Sequence, residues 1–343
     1  MQALVLTEYN RFEVQDRPAP RPADGEVLLR VAACGICGSD IHGVDGSTGR
    51  RQPPLVMGHE AAGTIAEVGR NVEGWNVGDR VTFDSTIYCG RCWFCRRGQI
   101  NLCDHRRVLG VSCDEYRRDG AFAEYVAVPQ RILYRLPDAV TFEQAAMVEP
   151  LSIALHAVHR AGIRLDDTAV VVGTGMIGLL VVQALRAAGC GQILGVDLDP
   201  RRLDLACRLG ADAGLRADTT DVPGEVLRRT RNRGADAAFE VVGNSAALQT
   251  AAACLRRGGR LALVGNLVPE VEFPLQAAVT REWNVYGSCA SCGEYPACLN
   301  LMARGTVDVR PLISAVAPLA EGAAWFRRLQ AGEKGLMKVI LQP

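Results

Sequence analysis

A short apolar run at 169–172 leads into GTGMIG at 173–178, and then into a helical stretch that reaches Ala188. A strand, a glycine-rich turn and a helix in that order belong in a parallel α/β sheet. Gly173 suits the tight turn, Gly175 lets backbone approach a pyrophosphate, and Gly178 lets helix and strand pack closely. Met176 and Ile177 open the helix, where free N–H groups and the positive dipole end face an anion. Apolar runs at 193–196, 237–242 and 261–264 continue the alternation with helical stretches such as 201–209. This predicts a doubly wound parallel sheet with both faces covered.

The second strand of that unit ends at Asp197, 19 residues beyond Gly178. A carboxylate there accepts hydrogen bonds from ribose hydroxyls and repels a 2′-phosphate, which favours NAD over NADP. Arg202, just beyond it, is a counterweight, because an arginine at that place tolerates a phosphate. Val242 and Val264 end strands at the cofactor edge and are candidates for lining the nicotinamide half.

Before residue 150 the grammar differs. Residues 27–31, 63–68 and 122–128 read as strands, GDRV at 78–81 as a turn feeding another, and helical periodicity is scarce. An all-β, barrel-like unit is expected. After about 288 come a helix around 295–303 and a closing apolar strand at 338–341. The expected division is therefore 1–150 with 288–343, and 151–287.

The chain has 13 cysteines and no basic, apolar leader, so a disulfide framework is not expected. Cys89-x2-Cys92-x2-Cys95-x7-Cys103 has the spacing of a closed, tetrahedral and therefore structural zinc site. Its neighbours Arg91, Arg96, Arg97 and Gly98 make a poor apolar core. A looser set joins Cys37, in CGICGSDIHG, to His59 and Glu60, in GHEAAG. Three protein ligands leave room for water or substrate on a zinc ion, and Glu149 is a fourth candidate. Cys289-x2-Cys292 lacks a second ligand pair, and His156 and His159 read as helix packing.

Lys+Arg and Asp+Glu are both 38, and a formal charge of zero argues against a nucleic-acid partner. Residues 168–185 carry no charge, yet their three glycines, Thr174 and Gln183 suit a soluble strand-turn-helix better than a membrane span. A cytoplasmic location is expected.

In chain order CGICGSD, GHExxG, GDRV, the four-cysteine lobe, VEPLS, GTGMIG, Asp197 and KVIL span nearly the whole sequence. Together they resemble the zinc-dependent medium-chain dehydrogenase/reductase family. VEPLS looks like its sorbitol and polyol dehydrogenase branch, and the whole chain resembles the galactitol-1-phosphate dehydrogenase-like group. The resemblance implies a GroES-like β-barrel catalytic domain and a Rossmann NAD-binding domain. It implies that Cys37, His59 and Glu60 hold a catalytic zinc, with Glu149 as ligand or water-holder. The zinc would polarise the substrate hydroxyl as a Lewis acid, and NAD would take the hydride. Ser39 and His42 would carry the proton toward solvent through the cofactor ribose. Lys338 would stand near the pyrophosphate. A homodimer or homotetramer is implied, its strand near 284–287 pairing with a symmetry mate.

The polar loop 43–51 and Asp84-Ser85-Thr86 suit a small polyol or sugar substrate. Arg50 and Arg51 are candidates for gripping a substrate phosphate, although a solvated pair is the plainer reading. An L-threonine 3-dehydrogenase-like or general secondary-alcohol activity is the alternative within the family. A non-catalytic nucleotide-binding relative is the alternative outside it, and the intact ligand set argues against that.

Overall fold

The computed structural model describes all 343 residues. Two compact units emerge. One comprises Met1–Glu149, Tyr295–Ala303 and Val309–Pro343, and the other Pro150–Glu294 and Arg304–Asp308. The chain thus returns to the first unit at Tyr295, later than the expected 288. The intervening residues stay with the second unit because the Ser288 amide bonds the Leu263 carbonyl and Glu294 is anchored on His156. The side chain of Gln183 likewise holds the backbone of Asp308 in that unit.

The first unit is all-β apart from short helices. Its largest sheet has seven strands, centred on Glu26–Gly35. Glu60–Val68 and Lys338–Gln342 flank that strand antiparallel, with Gly35 opposite both Glu60 and Ile340. Val27, Leu29, Val81, Phe83 and Phe122 are fully buried in its core. The expected strand at 122–128 is shorter, Tyr125–Pro129.

In the second unit six parallel strands lie in the order Ala213–Arg216, Gln192–Asp197, Thr168–Val172, Ala235–Glu240, Leu255–Leu263, Asn284–Gly287. Counted along the chain this is the 3-2-1-4-5-6 order of a Rossmann sheet. Thr168–Val172 and Ala235–Glu240 are buried at every residue, as helices on both faces require. Asp199, Asp221 and Asn244 cap three of those helices through their side chains. No helix is long and apolar enough to cross a membrane.

Candidate active site

Cys37 is the N-cap of the short helix Gly38–Gly43, and its Sγ accepts the Ser39 amide at 3.5 Å. His59 and Glu60 arrive where the chain enters the strand Glu60–Val68. Candidate ligand atoms of Cys37, His59 and Glu60 lie within 4.8 Å of one another. His59 turns Nδ1 toward Asp40 Oδ1, 3.4 Å away, which leaves Nε2 for a metal. Asp40 is wholly buried, and its Oδ2 accepts the Cys37 amide at 3.3 Å. Burial opposes its ionisation, but His59 and then Arg51 beside it hold the carboxyl well below the usual range.

Glu60 faces a second buried charge. Its Oε2 takes the Lys338 ammonium, which also donates to the Ile36 carbonyl at 3.1 Å. Burial works against that ammonium, but the charge and hydrogen bond of Glu60, with the charges of Cys37 and Glu149, together outweigh it and raise its pKa. Gly35 makes the pair possible: a Cβ there would sit on Glu60 Oε2 and 3.3 Å from Lys338 Cδ. The other oxygen, Glu60 Oε1, is buried without a hydrogen-bond partner. A buried carboxylate oxygen left open beside a thiol and an imidazole fits a bound cation, and this donor set suits zinc. Glu149 opens the helix Val148–Ala161. Burial, then the Glu60 charge, pushes its carboxyl up to about 7. It lies outside the three-residue group but within electrostatic reach of it.

Cys89, Cys92, Cys95 and Cys103 form the second group, and their sulfurs lie within 4.8 Å of one another, each a free thiol. Backbone amides point at the sulfurs, for example Cys89 N–H to Cys103 Sγ at 3.2 Å and Cys92 N–H to Cys89 Sγ at 3.3 Å. Such donors stabilise thiolates, so this group too fits zinc. The lobe has almost no core of its own, and Trp93 is 55% exposed. A four-thiolate metal site would hold it together.

The candidate nucleotide site lies wholly in the second unit. Gly173 has φ +94°, and a Cβ on it would meet Val242. A Cβ on Gly178 would collide with the Gly173 carbonyl. A Cβ on Gly175 would meet only Arg202 Nη1, at 3.9 Å, so the surface beside this glycine is uncrowded. Gly175 caps the helix Met176–Ala187 with no side chain, leaving first-turn amides to a ligand. Asp197 Oδ2 accepts both the amide and hydroxyl of Thr174, and Oδ1 accepts the amides of Leu198 and Asp199.

Residues 23–138 match the alcohol dehydrogenase GroES-like domain, and 177–304 the zinc-binding dehydrogenase domain. The chain is 36% identical to sorbitol dehydrogenase of Bacillus subtilis (strain 168), with 100% of this chain and 97% of that protein covered. The chain belongs to the zinc-dependent medium-chain dehydrogenase/reductase family. As such it is an alcohol/polyol dehydrogenase. Galactitol-1-phosphate dehydrogenase from Escherichia coli is similar in structure to this medium-chain dehydrogenase, with a TM-score of 0.93, 26% identity and 100% of both chains covered. A zinc-binding dehydrogenase from Sinorhizobium meliloti 1021, solved with NADP, gives 0.92 at 30% identity, covering 100% of this chain and 99% of that one.

Two expectations for the dehydrogenase need correction. Lys338 is fully buried and committed to Glu60, so it has no surface to offer a pyrophosphate. Arg51 is buried against Asp40, while Arg50 is exposed and reaches Tyr116 Oη at 3.5 Å. The two arginines therefore do not form a joint phosphate grip. Ser39 and His42 sit on the exposed side of the helix Gly38–Gly43. Val242 and Val264 are half-buried at strand ends.

Sequence reasoning missed Asp40, Gly35 and Glu240. Glu240 Oε1 is buried and accepts the amides of Val242 and Gly243, shaping the turn after its strand. An acidic residue closing the otherwise apolar AAFE was its only signal. Cys289 and Cys292 are not part of either metal group.

His156 and His159 of the dehydrogenase share one carboxylate, Glu294 Oε1, at 2.8 and 3.4 Å. Burial would raise the Glu294 pKa, but the two histidines outweigh it and bring it to about 2. A depressed carboxylate stabilises the fold above its unfolded pKa, and that contribution fades as pH falls from about 4.3 toward the folded value. Glu294→Gln should therefore cost about 3 kcal/mol at pH 7. In urea unfolding followed across pH, the gap between the proteins should narrow below pH ~4. A pH-independent gap would contradict this account.

Proposed function

We propose that this dehydrogenase transfers a hydride between a secondary hydroxyl of an unphosphorylated polyol or sugar and NAD, at a zinc centre held by Cys37, His59 and Glu60. The observation that carries this reading is the buried Glu60 Oε1, open beside Cys37 and His59. Zinc bound there supplies Lewis acidity toward the substrate oxygen. Asp40 faces His59, Lys338 holds the far oxygen of Glu60, and Glu149, within electrostatic reach of Glu60 and His59, would hold water or substrate near the metal. Ser39 and His42, both exposed, provide a route by which a hydroxyl proton reaches solvent.

NAD is favoured by the charge of Asp197 beside the open Gly175. Arg201 is tied to Asp199 at 2.7 Å, and Arg202 stands 3.8 Å from Asp197. A 2′-phosphate would meet that carboxylate. The sorbitol dehydrogenase relative supports a polyol substrate. The burial of Arg51 favours an unphosphorylated one. We also infer self-association through the open edge strand Asn284–Gly287, next to which Leu275 and Val279 are 67% and 68% exposed.

The test is the absorbance of reduced cofactor across polyols, free and phosphorylated sugars, threonine and simple alcohols, with NAD and with NADP. Chelator-sensitive turnover of a free polyol or sugar with NAD is expected. Turnover confined to phosphorylated substrates or to NADP would overturn the corresponding part. Silence throughout, with zinc and NAD bound, would overturn the substrate class.

A further inference from the structure

Arg51 is only 5% exposed, and its location is unusual for so polar a side chain. Its Nη2 donates to Asp40 Oδ1 at 3.0 Å, and its Nη1 donates to the Arg50 carbonyl at 3.1 Å. Its Nε is buried with no partner. Leaving that donor unmet costs stability, so something must hold the guanidinium inside. Asp40 does: a fully buried carboxylate requires a compensating cation.

The same oxygen, Asp40 Oδ1, faces Arg51 Nη2 on one side and His59 Nδ1 on the other. Asp40 Oδ2 is held by the Cys37 amide. The carboxylate is therefore fixed at both oxygens, by the backbone of one candidate metal ligand and by Arg51. His59 Nδ1 is buried with no hydrogen-bond partner, and Asp40 Oδ1, 3.4 Å away, is the carboxylate oxygen that faces it. Gly43 keeps this arrangement open, since a Cβ there would lie 2.6 Å from Arg51 Cγ.

We propose that Arg51 is a positioning residue for the catalytic metal: through Asp40 it fixes the His59 imidazole so that Nε2 meets the ion. This rests on the reading of Cys37, His59 and Glu60 as the metal group. The guanidinium fork matters as well as its charge. Two nitrogens bind two different acceptors, which a lysine ammonium at the end of a flexible chain does not reproduce.

Zinc content and zinc affinity provide the test, with the four-cysteine site of the same molecule as internal control. The wild-type protein, titrated with a competing chelator, should release one zinc before the other. Replacing Arg51 with methionine frees Asp40, the outer partner of His59, and should weaken the first-released zinc by up to about 10–100-fold, the usual effect of losing such a partner outright. The second zinc should be unaffected. R51K should recover only part of the loss. G43A keeps the arginine but displaces it, and should weaken the same zinc in the same direction.

Wild-type affinity for both metals in R51M and G43A would overturn the proposal. Equal loss of both metals in R51M, with G43A unchanged, would also overturn it and mark Arg51 as a fold residue. Should R51M fail to fold, G43A and R51K decide. A wild-type protein that binds only one zinc would instead refute the underlying metal reading.

Discussion

His59→Ala lowers kcat/KM by about 10³-fold or more, the scale of losing several kcal/mol of charge stabilisation at the reacting oxygen. It also removes one zinc per chain and leaves the four-cysteine metal in place. The reason lies in how few groups converge. At this site three residues, Cys37, His59 and Glu60, bring ligand atoms within 4.8 Å of one another, so the loss of the imidazole leaves a thiol and one carboxylate oxygen. NAD binding should be unchanged, because the glycine-rich loop and Asp197 belong to the other unit. Metal analysis and NAD titration of the same preparation check both statements. Turnover within tenfold of wild type, with one zinc missing, would sink the assignment.

Lys338→Met has the next largest effect, this time on stability. It leaves Glu60, 1% exposed, without its counter-charge. Stranding one half of a buried ion pair costs about 3–5 kcal/mol, whereas replacing both halves with neutral groups is often close to neutral. In zinc-stripped protein the single variant should lose that much in urea unfolding. The double variant Glu60→Gln/Lys338→Met should recover most of it, and the surplus over additivity measures the pair. Recovery of stability should not bring back the first zinc, because the amide that replaces Glu60 is a poor ligand. If the single variant proves as stable as wild type, Lys338 is not the group that compensates Glu60 inside the fold.

These two predictions separate what was readable in the sequence from what was not. Cys37, His59 and Glu60 were readable because their residue types are unusual together, and the four cysteines because their spacing is tight. The Rossmann sheet was readable because strand, glycine turn and helix follow one another locally. Lys338 was misplaced because its partner lies 278 positions away, across an antiparallel register with Gly35 between them. Arg51 looked like half of an exposed arginine pair. Only the fold reveals that it turns inward to Asp40 while Arg50 turns outward. Gly35 carries no chemistry of its own, so nothing marked it out. Its contribution is the space that the Glu60–Lys338 pair occupies.

The sequence distance between Glu60 and Lys338 also matters during synthesis. A ribosome exposes Cys37, His59 and Glu60 long before Lys338 exists, and the second unit, almost continuous in the chain, is made in between. Until the strand Lys338–Gln342 docks beside Gly35, the Glu60 carboxylate has no ammonium to receive it in a closed interior. The nascent barrel must keep that carboxylate in contact with water. Closure of the metal centre through this strand is thus a non-local event that waits for the last residues of the chain. A translation product that stops short of Lys338 would retain the three ligands yet lack the charge that lets Glu60 go inside.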